Sequence, residues 1–185
     1  MQWASSVEDS GDTPVLVSPE GLRYRADSPG ASQALTAAFG RELTLRRETT
    51  VQHYDQTPLH LVTTSSLAAL ESLSGAAVDE RRFRANIVID TGTEPMFHEE
   101  DWAGAVLAIG GEVVIRLGQG MPRCVMVDQP QTKVSAEPKT LKLLGAHNNT
   151  ELGLQAHTVH TGTLRIGDAV TLRRAVPGKS SATGT

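Results

Sequence analysis

The chain has 185 residues, 39% of them hydrophobic, 21% charged and 4% aromatic, with a formal net charge of -4 and one cysteine. That length and apolar content suit one globular domain with a real core. The negative balance, the lack of a basic block and the scarcity of aromatic rings exclude a dedicated nucleic-acid binder. No apolar run approaches the roughly 18 residues of a membrane helix, no secretory h-region is visible, and a lone cysteine cannot close an internal disulfide, so the expected setting is a reducing cytoplasm away from membranes.

In chain order, residues 1–13 are rich in Ser, Asp, Glu and Gly around an isolated Trp3 and are expected to be a disordered N-terminal segment. Val15-Leu16-Val17 and Leu22-Arg23-Tyr24 flank Ser18-Pro19-Glu20-Gly21, which predicts a short hairpin. Residues 31–39 place Leu35, Ala38 and Phe39 on one helical face before Gly40, and Leu43-Thr44-Leu45 alternates as a strand does. A β-run at residues 59–62 leads through Thr63-Thr64-Ser65-Ser66 into a helix marked by Leu67, Leu70 and Leu73 and stopped by Gly75.

Residues 83–90 read as a strand on which Arg84, Asn86 and Val88 share one parity. Residues 106–117 form a hairpin closed by Gly110-Gly111, and residues 123–127 read as another strand. Pro138 opens a short helix through Leu141, Leu143 and Leu144, with Pro at a first-turn position. Residues 154–160 alternate, and a last strand is expected near residues 169–172, followed by a disordered tail at 175–185. No repeat and no linker divides residues 14–174, which are expected to be one domain. The fold class is mainly β (α+β). A closed barrel with a few short peripheral helices is expected, because closure removes exposed strand edges.

The chemistry centres on Cys124, which directly follows Pro122 and Arg123. Positive charge favours a thiolate, and thiolates attack and bind metals; the plainer alternative is a small buried hydrophobe. Arg123 points away from Cys124 on an ideal strand, so its help requires a bulge or turn at Pro122. Arg81, Arg82 and Arg84 suit a phosphate, or else pair at the surface with Glu99, Glu100 or Asp101. The hydroxyls at Thr64 and Ser65 sit where a helix N-terminus can receive an anion or simply be capped. His157 and His160 fall on opposite faces of a strand and are not read as a metal site, and there is no Walker A, GxGxxG or GxSxG motif.

Several segments in this order resemble a known family. Arg82-Phe83-Arg84-Ala85-Asn86-Ile87-Val88-Ile89, Phe97-His98-Glu99-Glu100-Asp101-Trp102, Ile109-Gly110 and Pro122-Arg123-Cys124 are similar to the MOSC domain of molybdenum cofactor sulfurases and amidoxime-reducing components. Leu61-Val62-Thr63-Thr64-Ser65-Ser66-Leu67 and Gly162-Thr163-Leu164-Arg165-Ile166-Gly167-Asp168 extend the likeness. The resemblance implies a MOSC-type β-barrel and a role around the molybdenum cofactor (molybdopterin). Cys124 would ligate molybdenum or carry sulfur. Arg84, Asn86 and Arg123 would lie at the pterin phosphate, with Thr64 and Ser65 as lesser contacts.

Ala85 stands where the family's strand motif commonly has proline, and Val127-Asp128-Gln129 stands where Thr-Thr and an acidic residue are usual. The Pro-Val-Lys-Ser-like and Gly-Asp-Arg-like segments of the amidoxime-reducing relatives are not in this sequence. A cofactor in a cleft needs walls from several segments, so weak retention of the cofactor by the chain as written, or none, is the expectation. Redox activity on N-oxygenated substrates would draw electrons from a partner protein, since no flavin or iron–sulfur motif is present. A sulfur carrier served by a sulfur-donor protein, or a degenerate MOSC domain, are the other readings.

Overall fold

The computed structural model describes residues 3–7, 13–47, 49, 56–131, 133–136 and 139–173. It divides into two compact units, Met1–His53 and Tyr54–Thr185.

In the first unit, β1 (Ala4–Val7), β2 (Pro14–Val17) and β3 (Arg23–Arg25) form an antiparallel meander, followed by α1 (Pro29–Phe39). The hairpin at Ser18-Pro19-Glu20-Gly21 is present: Gly21 has φ 85°, and Ser18 and Leu22 are joined across the turn at 2.9 Å. Strand β1 lies inside the segment expected to be disordered, because Ala4 to Val7 pair in register with Val17 to Pro14. Leu43-Thr44-Leu45 is not a strand. Its N–H groups go to side chains, Leu43 to Thr36 Oγ1 (2.9 Å) and Leu45 to Ser32 Oγ (3.0 Å), so hydroxyls of α1 replace a strand partner.

The second unit is a six-stranded curled half-barrel in the order β5-β4-β8-β7-β6-β9. Its strands are β4 (Leu59–Thr63), β5 (Ile87–Ile89), β6 (Val106–Ile109), β7 (Val113–Pro122), β8 (Glu151–His160) and β9 (Val170–Arg173). All pairings are antiparallel except β4 with β5. Among the described residues β5 and β9 do not pair with each other, so the expected closed barrel is open along that seam, where a groove of about 870 Å3 is lined by Ile87, Ile89, Trp102, Leu107 and Leu172.

Helices α2 (Thr64–Ser74) and α3 (Thr140–His147) complete the unit. Helix α2 follows its sequence signals: Thr63 accepts from the Ser66 N–H, and Gly75 ends it at φ 70°. Pro138 lies outside the described residues; α3 runs to His147, three residues past the expected end, and the Asp128 carboxylate accepts from the Leu141 N–H at 3.0 Å.

Strand β4 is buried on both faces. Leu61 joins one core cluster with Ile89, Leu107, Ile115, Leu117 and Leu154, while its neighbour Val62 joins a second with Leu70, Phe83, Leu144 and Leu152. Leu152 and Leu154 have the same parity yet serve different clusters. Gly153, at φ 75°, lies between them, and the β7–β8 register shifts over the same stretch, from Gly120↔Leu154 to Pro122↔Glu151. This is a bulge that swings the start of β8 toward the helices.

Two expected strands are corrected. Residues 83–90 contribute only β5; the preceding Glu80–Phe83 is a 3-10 turn capped by Asp79, and Arg84 closes it in the left-handed region at φ 54°. Arg84 therefore does not share a strand face with Asn86, and the parity argument for the two fails. Residues 123–127 are also not a strand. Strand β7 ends at Pro122, and Cys124 caps a short 3-10 turn, Val125–Val127, whose last N–H returns to the Cys124 carbonyl at 3.1 Å.

Candidate functional site

Cys124 is exposed, which removes the reading of it as a buried hydrophobe. The turn at Pro122 supplies what an ideal strand could not: Arg123 and Cys124 lie where the chain curls away from the sheet, and the Arg123 N–H is anchored to the Thr150 carbonyl at 2.8 Å. The Arg123 guanidinium reaches Phe83. Its Nη2 donates to the Phe83 carbonyl at 2.9 Å, and its carbon stands 5.8 Å from the Phe83 ring centre. Its Nε is buried without a partner. Burial pushes the Arg123 guanidinium below its ordinary value, and the nearby Cys124 works in the opposite direction. Arg123 therefore combines an unused buried donor with closeness to the thiol.

Of the three arginines before β5, one is left to meet a ligand. Arg81 pairs with Asp79, Nε to Oδ1 at 2.9 Å, rather than with the acidic run at Glu99 to Asp101. Arg82 is buried and donates to the carbonyls of Val127 (2.6 Å) and Ser135 (2.8 Å), tying this turn to the one after Cys124. Arg84 is exposed, and its side chain makes no hydrogen bond among the described residues. The Arg123 bond to Phe83 brings the Phe83–Arg84 corner to the Arg123–Cys124 corner.

Asn86 is engaged in structure. Its Oδ1 accepts from the His60 N–H and its own N–H donates to the His60 carbonyl, both at 2.8 Å. Thr64 and Ser65 belong to a different neighbourhood. Thr64 Oγ1 donates to the Gly92 carbonyl (2.7 Å) and accepts from the Thr91 N–H (3.0 Å), and the Ser65 and Thr91 hydroxyls lie 2.6 Å apart. No hydrogen bond joins either residue to Cys124 among the described residues. Beneath them, the Glu99 side chain is 1% exposed and accepts from the hydroxyls of Thr63 (2.7 Å) and Ser66, so its carboxyl group already fills the space at the start of α2.

His60 is the residue that sequence reasoning missed. It is 6% exposed, with Nε2 3.0 Å from the Leu152 carbonyl, and its ring also faces the Phe83 carbonyl. Its signal was its position: a histidine inside Leu59-His60-Leu61-Val62, a run that reads as buried on both faces, needs an internal partner. Burial first, then the charge of Arg123, pushes His60 down to about 4.

The sign of the pH effect follows. The unfolded chain takes up the proton near 6.5, whereas folded His60 resists it until about 4. Stability is therefore complete above 6.5 and falls by roughly 3 kcal/mol as pH drops to 4. Unfolding midpoints measured from pH 7 to pH 4 are expected to show this loss in the wild type and to lack that increment in His60→Gln.

Together the half-barrel and this corner define a class: a mainly β protein that presents a free thiol beside a partly buried arginine at the rim of a curled sheet. The model of the MOSC domain family matches residues 29–171, and the chain belongs to that family. Comparison with curated proteins gives no match. Among solved structures, the chain is similar to YiiM from Geobacillus stearothermophilus at 14% identity and a TM-score of 0.47. That alignment covers 63% of this chain and about half, 54%, of the other.

Proposed function

We propose that this chain is a molybdenum-cofactor-binding MOSC protein in which Cys124 ligates molybdenum or holds sulfur. The observation that carries the reading is the partnerless, buried Nε–H of Arg123 beside an exposed thiol. A buried cationic donor left unpaired is costly, and an anionic group at this corner would satisfy it. The donor set suits the cofactor chemically: a soft thiolate for the metal, with Arg123 and the free Arg84 for a phosphate. Asn86 contributes by fixing the Phe83–Arg84 corner, since its Oδ1 is already committed to His60. Thr64 and Ser65 are at most distant contacts, because their hydroxyls are bonded to the turn after β5.

Among the described residues no three His, Cys, Asp or Glu side chains gather as a metal cage, so protein ligation would fall to the one thiolate. The bound cofactor would supply the redox centre for reducing N-oxygenated substrates, with electrons from a partner protein in the cytoplasm.

The test is expression with cofactor supply, followed by molybdenum and pterin assay of the purified chain. Substoichiometric molybdenum is expected, above the level in Arg123→Gln. Molybdenum at the same background in both proteins would overturn the reading.

A further inference from the structure

We propose that His60 is a positioning residue for this site: carried near the start of β4 with its ring against the bulge of β8, it fixes where the Arg123 guanidinium stands beside Cys124. Both anchors of Arg123 lead back to His60. The first is the backbone anchor, from the Arg123 N–H to the Thr150 carbonyl. Thr150 immediately precedes β8, and two residues later the chain enters the bulge at Leu152 and Gly153. The β4–β8 ladder stops at Leu61↔Leu154, so the Leu152 carbonyl lies beyond its last paired residues. His60 Nε2 meets that carbonyl at 3.0 Å, so a side chain holds the bulge where the backbone ladder stops.

The second is the side-chain anchor, from Arg123 Nη2 to the Phe83 carbonyl. The Phe83–Arg84 corner is held against β4 by the two bonds between Asn86 and the main chain of His60. The imidazole also faces the Phe83 carbonyl. A neutral imidazole has one N–H. Given to Leu152, it leaves the Phe83 oxygen to Arg123, and it places no second cation against the guanidinium. Gly153 makes room for this arrangement: a Cβ there would come within 2.6 Å of His60 Nε2.

The proposal rests on Cys124 being the working thiol, but its test needs no cofactor. Cys124 is the one cysteine of the chain, so alkylation reports on it alone. The rate of alkylation by anionic iodoacetate, divided by the rate with neutral iodoacetamide, reads the positive charge near the sulfur and cancels differences in thiolate fraction. Arg123→Gln sets the floor of that ratio.

At low salt His60→Leu is expected to lower the ratio about threefold toward that floor, the effect of moving one charge several ångströms from the thiol. His60→Gln, which keeps a neutral N–H donor, is expected to restore the wild-type ratio. If the leucine variant does not fold, His60→Asn, polar but too short to reach Leu152, takes its place with the same expectation.

A wild-type ratio in His60→Leu or His60→Asn would overturn the proposal, as would a ratio in His60→Gln as low as in His60→Leu. A wild-type ratio in Arg123→Gln would overturn it at its premise, by removing Arg123 from the surroundings of the thiol. Failure to retain molybdenum with the expected ratios would instead overturn the cofactor reading and leave the positioning role standing.

Discussion

Replacing Cys124 by serine is expected to reduce any molybdenum- or sulfur-dependent activity to background while leaving the melting temperature unchanged. The two halves of this expectation have separate causes. Serine is nearly isosteric with cysteine, but its hydroxyl is not ionised near neutral pH, cannot carry a persulfide and is a poor ligand for a soft metal. The structural half follows from the position of the residue. Cys124 is exposed at the start of a 3-10 turn, and its side chain makes no capping bond, so a serine there meets water and can itself cap the turn. A change within about 0.5 kcal/mol is expected, as for an ordinary surface site. A buried hydroxyl without a partner would instead cost about 1–3 kcal/mol. Activity and melting temperature measured on the same variant decide between them. Normal specific activity in a destabilised serine variant would make Cys124 a packing residue.

The parts of the fold legible in the sequence are those whose cause is local. The hairpin of β6 and β7 follows from alternation on either side of Gly110-Gly111, and α2 follows from its hydroxyl cap, leucine spacing and terminal glycine. What failed depended on partners far along the chain. The alternation at Ile87 to Ile89 extends a strand back through Arg84, but Asp79 caps a turn that leaves Arg84 at φ 54°, outside the ladder. Residues 123–127 read as a strand in the sequence; instead the Arg123 N–H goes to the Thr150 carbonyl, and the chain curls. The consequence for the site is favourable, since that curl removes the opposition between Arg123 and Cys124 that a strand would impose. The partners of His60 and Glu99 were unreadable for the same reason: Leu152, Thr63 and Ser66 lie 92, 36 and 33 residues away, although the place of His60 in an apolar run already signals that it needs one.

Gly153→Ala is expected to be the most damaging single-methyl change in the half-barrel, because two penalties meet at one atom. Gly153 has φ 75°, a left-handed conformation that costs an L-residue about 1–2 kcal/mol. The added Cβ would also fall on the Leu61 carbonyl oxygen, well inside contact distance, and lie 2.6 Å from His60 Nε2. Neither neighbour yields readily: Leu61 is a fully buried backbone position in β4, and His60 is held by the Leu152 carbonyl and Asn86. Relief requires β4 and β8 to separate or the bulge to flatten. A flattened bulge would return Leu152 to the face of Leu154 and take it from the cluster with Val62, Phe83 and Leu144. A loss of about 4 kcal/mol is expected, a large share of the 5–15 kcal/mol that holds a typical domain together. Gly75→Ala is the control, since Gly75 has φ 70° but a Cβ there meets nothing within 4 Å. It carries the conformational penalty alone, about 1–2 kcal/mol. Chemical denaturation of the two variants separates strain from crowding, and equal losses would mean that the bulge at Gly153 has room the distances deny.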